Sequence, residues 1–225
     1  GLHILKAASV VHTGQQHIKK VIAELGGKNA IIIDSDADLD EAVTGVIYSA
    51  FGFQGQKCSA CSRVIVLEPL YTRFIDRLLE AARSLNVGAS EDPRSFMGPV
   101  VDDEAYQRIL RTIEGARAKC NLAFQGQVPS GGYFVPPTIF TDVDPNAEIA
   151  QNEIFGPVLA VIKAKDMDHA LQIANATEYA LTGGLYSRSP ATIERVKREF
   201  EVGNLYINRG NTGALVERHP FGGFK

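Results

Sequence analysis

The sequence predicts an α/β fold, a mostly parallel open sheet flanked by helices. Two observations carry that expectation. Short apolar runs rich in β-branched residues recur along the chain, and the segments between them place apolar residues at helical spacing. Strands separated by helices of roughly 10–15 residues are βαβ units, which build a parallel sheet. No internal repeat or low-complexity tract interrupts the alternation.

Taken in order, Ala30–Ile33 reads as a buried strand. Leu39, Ala42, Val43, Val46, Ile47, Ala50 and Phe51 then form one helical stripe. Asp38 is its N-cap, Glu41 is placed for a capping box, and Gly52 and Gly55 end the helix just before Cys58. Arg63–Leu67 is a strand, and Pro69 opens a helix that turns Leu70, Phe74, Leu78 and Ala82 inward. A helix from Asp103 to Ala118 leads to a strand at Leu122–Phe124. Pro157–Ile162, Gly184–Tyr186 and Asn204–Ile207 are further strands. Helices over Asp168–Ala176 and Pro190–Phe200 separate them, the second capped by Ser189. Such sheets carry their chemistry in loops beyond the strand ends.

Composition narrows the function. With 225 residues, 45% hydrophobic, 22% charged and a net charge of −3, the chain has ordinary globular composition. The near-neutral balance points to neither nucleic acid nor a membrane surface as partner. No apolar run approaches the roughly 18 residues of a membrane span, and the N-terminus lacks a secretory signal pattern. Three cysteines, Cys58, Cys61 and Cys120, suit a reducing compartment, so a cytoplasmic location is expected, or the mitochondrial matrix in a eukaryote. Gly1 leads uncapped into an amphipathic stretch and Lys225 ends inside a turn, so the sequence reads as a piece of a longer polypeptide.

Cys58 lies in Phe53-Gln54-Gly55-Gln56-Lys57-Cys58-Ser59-Ala60, where two glycines allow a sharp turn that can present a side chain at a cleft. A helical turn beginning at Cys58 would favour its thiolate. A small buried hydrophobe is the blander reading of a lone cysteine. Cys58-x-x-Cys61 also has the spacing of a redox pair or half a zinc site. Cys120 and the scattered His3, His12, His17, His169 and His219 supply no matching ligands, so no metal is expected.

The motifs go further. Glu24-Leu25-Gly26-Gly27-Lys28 resembles the glutamate signature of aldehyde dehydrogenases, and Gly55-Gln56-Lys57-Cys58 resembles their cysteine signature. The two are 34 residues apart, the family's spacing. Asn152-Glu153-Ile154-Phe155-Gly156-Pro157-Val158 is similar to the family's cofactor-contact motif, and Pro220-Phe221-Gly222-Gly223 to its late turn. Each alone is a weak pattern; four in order across nearly the whole chain are specific.

The resemblance implies a mechanism. Cys58 adds to the aldehyde carbonyl, a hydride leaves to NAD, with NADP left open, and a carboxylate activates water against the thioester. Glu24 is expected as that base, partly desolvated in the cleft. The oxyanion would be held by the Cys58 N–H and by an asparagine upstream of this chain. Glu153 would bind the nicotinamide ribose and Phe155 the ring, with Leu25 and Gly26 lining the same region. Residues 1–25 would be the closing helix and strand of a Rossmann-like domain, and residues 26–225 the catalytic domain. The family's oligomerisation strand would follow Lys225, and the parent enzyme would be a homo-oligomer.

Within the family, Phe53 through Arg63 and Asn208-Arg209-Gly210-Asn211-Thr212-Gly213-Ala214-Leu215-Val216 resemble the 1-pyrroline-5-carboxylate dehydrogenases, which oxidise glutamate γ-semialdehyde to glutamate. That likeness implies that Ser59, Gly213 and Ala214 hold the substrate's α-carboxylate, as an anion-binding nest would. It also implies fusion to, or work alongside, a proline dehydrogenase in proline catabolism. Alternatives are an aldehyde dehydrogenase of another substrate, a CoA-acylating relative, or a catalytically silent scaffold on the same fold. Glu24 speaks against the second, and the Cys58–Glu24 pair against the third.

Overall fold

Seven strands form one sheet in the order β3-β4-β5-β2-β1-β6-β7 in the computed structural model, which describes residues 1–215 and 217–225. They are β1 (Asn29–Ile33), β2 (Cys61–Leu67), β3 (Asn121–Gln125), β4 (Thr138–Thr141), β5 (Val158–Ala164), β6 (Thr182–Tyr186) and β7 (Asn204–Ile207). The β3–β4 pair at one edge is antiparallel and every other pairing is parallel. The helices are α1 (Leu2–Ser9), α2 (Leu39–Phe51), α3 (Tyr71–Arg83), α4 (Asp103–Arg117), α5 (Glu148–Gln151), α6 (Met167–Asn175) and α7 (Pro190–Glu199).

Alternation along the central strands divides the interior into two cores. Ile31 and Ile33 of β1, Val64 and Val66 of β2, and Leu159 and Val161 of β5 face α2 and α3. Ala30, Ile32, Ile65, Ala160 and Ile162 face the other side, against Ile109 and Ile113 of α4, Leu171 and Ala174 of α6, and Val196 of α7. A sheet covered on both faces needs apolar residues at every strand position, which is why β1 is buried throughout.

Several boundaries differ from those read in the sequence. β4 and α5 were not anticipated: each has four residues, β4 directly follows Pro136-Pro137, and its fit is decided by the neighbours it pairs with. Asp38 accepts hydrogen bonds from the backbone of Asp40 and Glu41, but the return bond of a capping box does not form among the described residues. Helix α1 is present, yet no strand follows it before Asn29, because no other strand of this chain lies alongside residues 10–28.

Parallel pairing aligns the first residues of the strands, and the site grows from that edge. Asn29 is level with Cys61, and Thr182 with Asn204. The segments holding Glu24, Cys58 and Glu153 lead into β1, β2 and β5, so they gather at the amino ends of the parallel strands. Open α/β sheets more often bind ligands at the carboxyl ends.

Candidate functional site

The turn carrying Cys58 is shaped by backbone that few residues adopt. After α2 stops, Phe53 and Gln54 take φ of 57° and 58°, and Gly55 follows at 65°. Left-handed backbone at a non-glycine costs on the order of 1 kcal/mol or more. Gly55 has no such freedom to change: a Cβ there would come within 2.4 Å of the Gly156 carbonyl oxygen. This pins the Cys58 turn to the Glu153–Gly156 segment.

No helix begins at Cys58, which corrects the sequence expectation. The Ala60 N–H closes on the Lys57 carbonyl at 3.0 Å and the chain passes directly into β2. Burial, and then the negative charge of Glu24, push the Cys58 thiol above its ordinary value. Backbone N–H groups of Ser59 and Cys58 lean the other way, and the Glu153 charge adds to the rise. The expected thiolate is therefore not stabilised by the described residues alone.

Gly26 and Gly27 are where Cys58, Glu24 and Glu153 meet. The Gly27 N–H donates to Glu153 Oε1 at 2.9 Å. A Cβ on Gly26 would lie 2.4 Å from Glu153 Oε2, and one on Gly27 would lie 2.2 Å from the Cys58 carbonyl oxygen. Both glycines are thus required by close approach. Glu24 is exposed, where partial desolvation was expected. Leu25 and Phe155 are 49% and 39% exposed beside this junction, and Phe155 holds φ 53°. Arg108 of α4 donates to the Ile154 carbonyl and steadies the segment from behind.

The residues expected to hold a carboxylate lie on two segments. Ser59 is buried, with its carbonyl accepting from the Thr182 hydroxyl at 3.3 Å. Gly213 is exposed at φ 94° and Ala214 half-buried. The backbone N–H groups of Thr212, Gly213 and Ala214 donate to nothing among the described residues. Ser59 and this loop meet through Thr182, since Asn211 Nδ2 donates to the Thr182 hydroxyl at 3.3 Å. Val216, in the motif read from the sequence, lies outside the described residues.

Sequence reasoning passed over the residues that support the site. Arg63, 2% exposed, donates from Nε to the Lys28 carbonyl and from its two terminal nitrogens to the Ile173 and Ala174 carbonyls of α6. A charged residue inside an apolar strand was the available signal. Lys28 is 1% exposed, its Nζ has no hydrogen-bond partner among the described residues, and burial pulls its pKa down to about 7. Asn29 and Thr182 gave no pattern to read. Cys61 points into the core, its thiol donating to the Arg63 carbonyl, and burial pushes it up to about 12. All three cysteines are free, and no cluster able to hold a metal occurs among the described residues.

The sequence profile of the aldehyde dehydrogenase family matches residues 4–225. A 1-pyrroline-5-carboxylate dehydrogenase of Geobacillus kaustophilus (strain HTA426) is 52% identical over all of this chain. The chain spans 44% of that relative's length. Among solved structures, proline utilization A of Bdellovibrio bacteriovorus, inactivated by N-propargylglycine, superposes with a TM-score of 0.96 at 67% identity. The match takes in 100% of this chain and 23% of that one. A Thermus 1-pyrroline-5-carboxylate dehydrogenase with bound NAD gives 0.93 at 50% identity, covering all of this chain and 43% of that one.

Proposed function

Because the chain belongs to the aldehyde dehydrogenase family, we propose that it carries the catalytic centre of an NAD-dependent oxidation of glutamate γ-semialdehyde to glutamate. The observation that carries this reading is the convergence of one thiol, Cys58, and two carboxylates, Glu24 and Glu153, around Gly26 and Gly27. The names of the relatives support the substrate, and the NAD-bound Thermus relative supports the cofactor. Proline utilization in the Bdellovibrio relative supports action beside, or fused to, a proline dehydrogenase.

The residues present fit a dinucleotide. Half-exposed Leu25 and Phe155 offer apolar surface to a ring, and Glu153, held over Gly26, offers a carboxylate acceptor to a ribose. When bound, the nicotinamide supplies the hydride acceptor. The protein's part is proton movement and placement. Cys58 is favoured as the neutral thiol, so its proton is released to solvent as sulfur adds to the carbonyl carbon, which leaves Glu24 unprotonated for the later step. The Cys58 N–H donates to the oxygen that gains charge. After the hydride leaves, Glu24 takes a proton from the water that cleaves the thioester. Ser59 and the N–H groups of Thr212, Gly213 and Ala214, unpaired among the described residues, grip the α-carboxylate.

In the whole encoded polypeptide, Cys58→Ala should abolish NADH formation, while Cys61→Ala and Cys120→Ala keep most of it. Glu24→Gln should release NADH in a burst and then turn over slowly, because the acyl-enzyme persists. Glutamate γ-semialdehyde should exceed pentanal by on the order of 10²-fold in kcat/KM, since polar groups built for a carboxylate are left unpaired without one. Equal efficiency toward the two would overturn the substrate while leaving the family standing.

A further inference from the structure

A buried chain of hydrogen bonds links the two segments that flank the site. Asn29, 3% exposed, is the first residue of β1. Its Nδ2 donates to the Cys58 carbonyl at 2.7 Å and to the Ala60 carbonyl at 2.8 Å. Its Oδ1 accepts from the Thr182 N–H at 3.0 Å. Thr182, 1% exposed, opens β6, and its hydroxyl donates to the Ser59 carbonyl and accepts from Asn211 Nδ2, both at 3.3 Å. Three successive carbonyls, of residues 58, 59 and 60, are thus held from beneath by two side chains.

The geometry has a consequence for the sulfur. In a trans peptide, C=O and N–H point in opposite directions. Drawing the Cys58 carbonyl inward therefore turns the Ser59 N–H outward, on the side where it stabilises the Cys58 thiolate. The amide of Asn29 can act in only one orientation, since the reverse would set its oxygen against two carbonyl oxygens. The second consequence is spatial. Asn211 is next to Thr212, so the Thr182 hydroxyl sits between the nucleophile turn and the Thr212–Ala214 loop.

We propose that Asn29 and Thr182 are positioning residues: Asn29 aims the peptide N–H groups at the Cys58 sulfur, and Thr182 fixes the separation between that sulfur and the Thr212–Ala214 loop. The span from aldehyde carbon to carboxylate that the site accepts then follows from the Thr182 contact. The Thr182 part rests on the carboxylated substrate proposed above, whereas the Asn29 part does not.

Near-isosteric variants of the whole polypeptide, checked for unchanged thermal melting, test both parts. Asn29→Leu keeps the heavy-atom shape and removes both the donors and the Oδ1 acceptor of the Thr182 N–H. A one-unit rise in thiol pKa is a tenfold loss of thiolate at fixed pH, so Cys58 alkylation by iodoacetamide should slow roughly tenfold. Alkylation within twofold of wild type would refute the Asn29 role, whatever the substrate. Thr182→Val removes only the hydroxyl, and Thr182→Ser retains it. In the valine variant KM for glutamate γ-semialdehyde should rise on the order of tenfold relative to KM for pentanal, and discrimination against the one-carbon-shorter aspartate β-semialdehyde should fall. The serine variant should recover both. An unchanged KM ratio in Thr182→Val, or no recovery in Thr182→Ser, would refute the Thr182 role. Should the wild-type enzyme fail to prefer the carboxylated aldehyde, the substrate reading and the Thr182 role fall together, and the alkylation rates still decide Asn29.

Discussion

At Cys58 the Ser59 N–H favours the thiolate, but burial and the charges of Glu24 and Glu153 outweigh it. Alkylation of the thiol by iodoacetamide should therefore climb as pH passes above 9. Glu24→Gln removes one of the opposing charges, so it should speed alkylation at fixed pH while slowing steady-state turnover; slower labelling would contradict the Coulombic link. Lys28 gives a second, global readout. Its folded value of about 7 lies below the ordinary 10.5, so between those limits the unfolded chain holds a proton that the folded chain lacks. Stability should rise with pH in that window, by about 2 kcal/mol from pH 7 to 9. Above pH 9 the Cys61 thiol, pushed up to about 12, works in the opposite direction, because only the unfolded chain loses that proton. Denaturant unfolding of Lys28→Met should show higher stability at pH 7 and no rise toward pH 9.

Among elements, β2 and α6 are joined by a single side chain. Arg63 satisfies the last carbonyls of α6, where a cation also meets the negative end of the helix dipole, and it holds the backbone of Lys28 in place before β1. Arg63→Met would strip the guanidinium from the buried Lys28, Ile173 and Ala174 carbonyls, of which Ile173 keeps the Ala176 N–H at 3.4 Å, at about 1–3 kcal/mol each and less than additively. Denaturant midpoints should drop by an amount equivalent to roughly 3–5 kcal/mol. Arg63→Lys should recover only part, because an ammonium cannot reproduce the planar fork. A variant as stable as wild type would mean that water replaces the guanidinium. The same joint relates the fold to the site, since Lys28 lies between Gly27 and Asn29.

For the molecule as a whole, residues 1–25 stand apart from the two cores. α1 buries none of its side chains, and Leu2, Val11, Ile18 and Ile22 are 85%, 78%, 91% and 89% exposed. Exposed apolar groups in such a run favour association. Residues 1–225 produced alone should self-associate, and deleting residues 1–22 should return them toward monomer in sedimentation velocity. A monomeric 1–225 chain would show that this surface needs no cover. No helix is long and apolar enough to cross a membrane among the described residues.

What the sequence determined by itself was whatever is periodic or motif-like. Leu70, Phe74, Leu78 and Ala82 fall on one face of a helix, and they are buried. The glutamate and cysteine signatures marked Glu24 and Cys58 because chemistry restricts which residues can stand there. Tertiary structure alone decided the rest. β4 forms because β3 and β5 flank it, whereas among the described residues nothing pairs with the segment before Asn29, where a strand was expected. The thiol is raised rather than lowered because the fold buries it and, second, brings toward it carboxylates distant in sequence. Asn29 and Thr182, separated by 153 residues, meet beneath the nucleophile because their strands are adjacent in the sheet. Local periodicity records the face each segment buries, whereas a hydrogen bond between distant strands exists only once the sheet order is set.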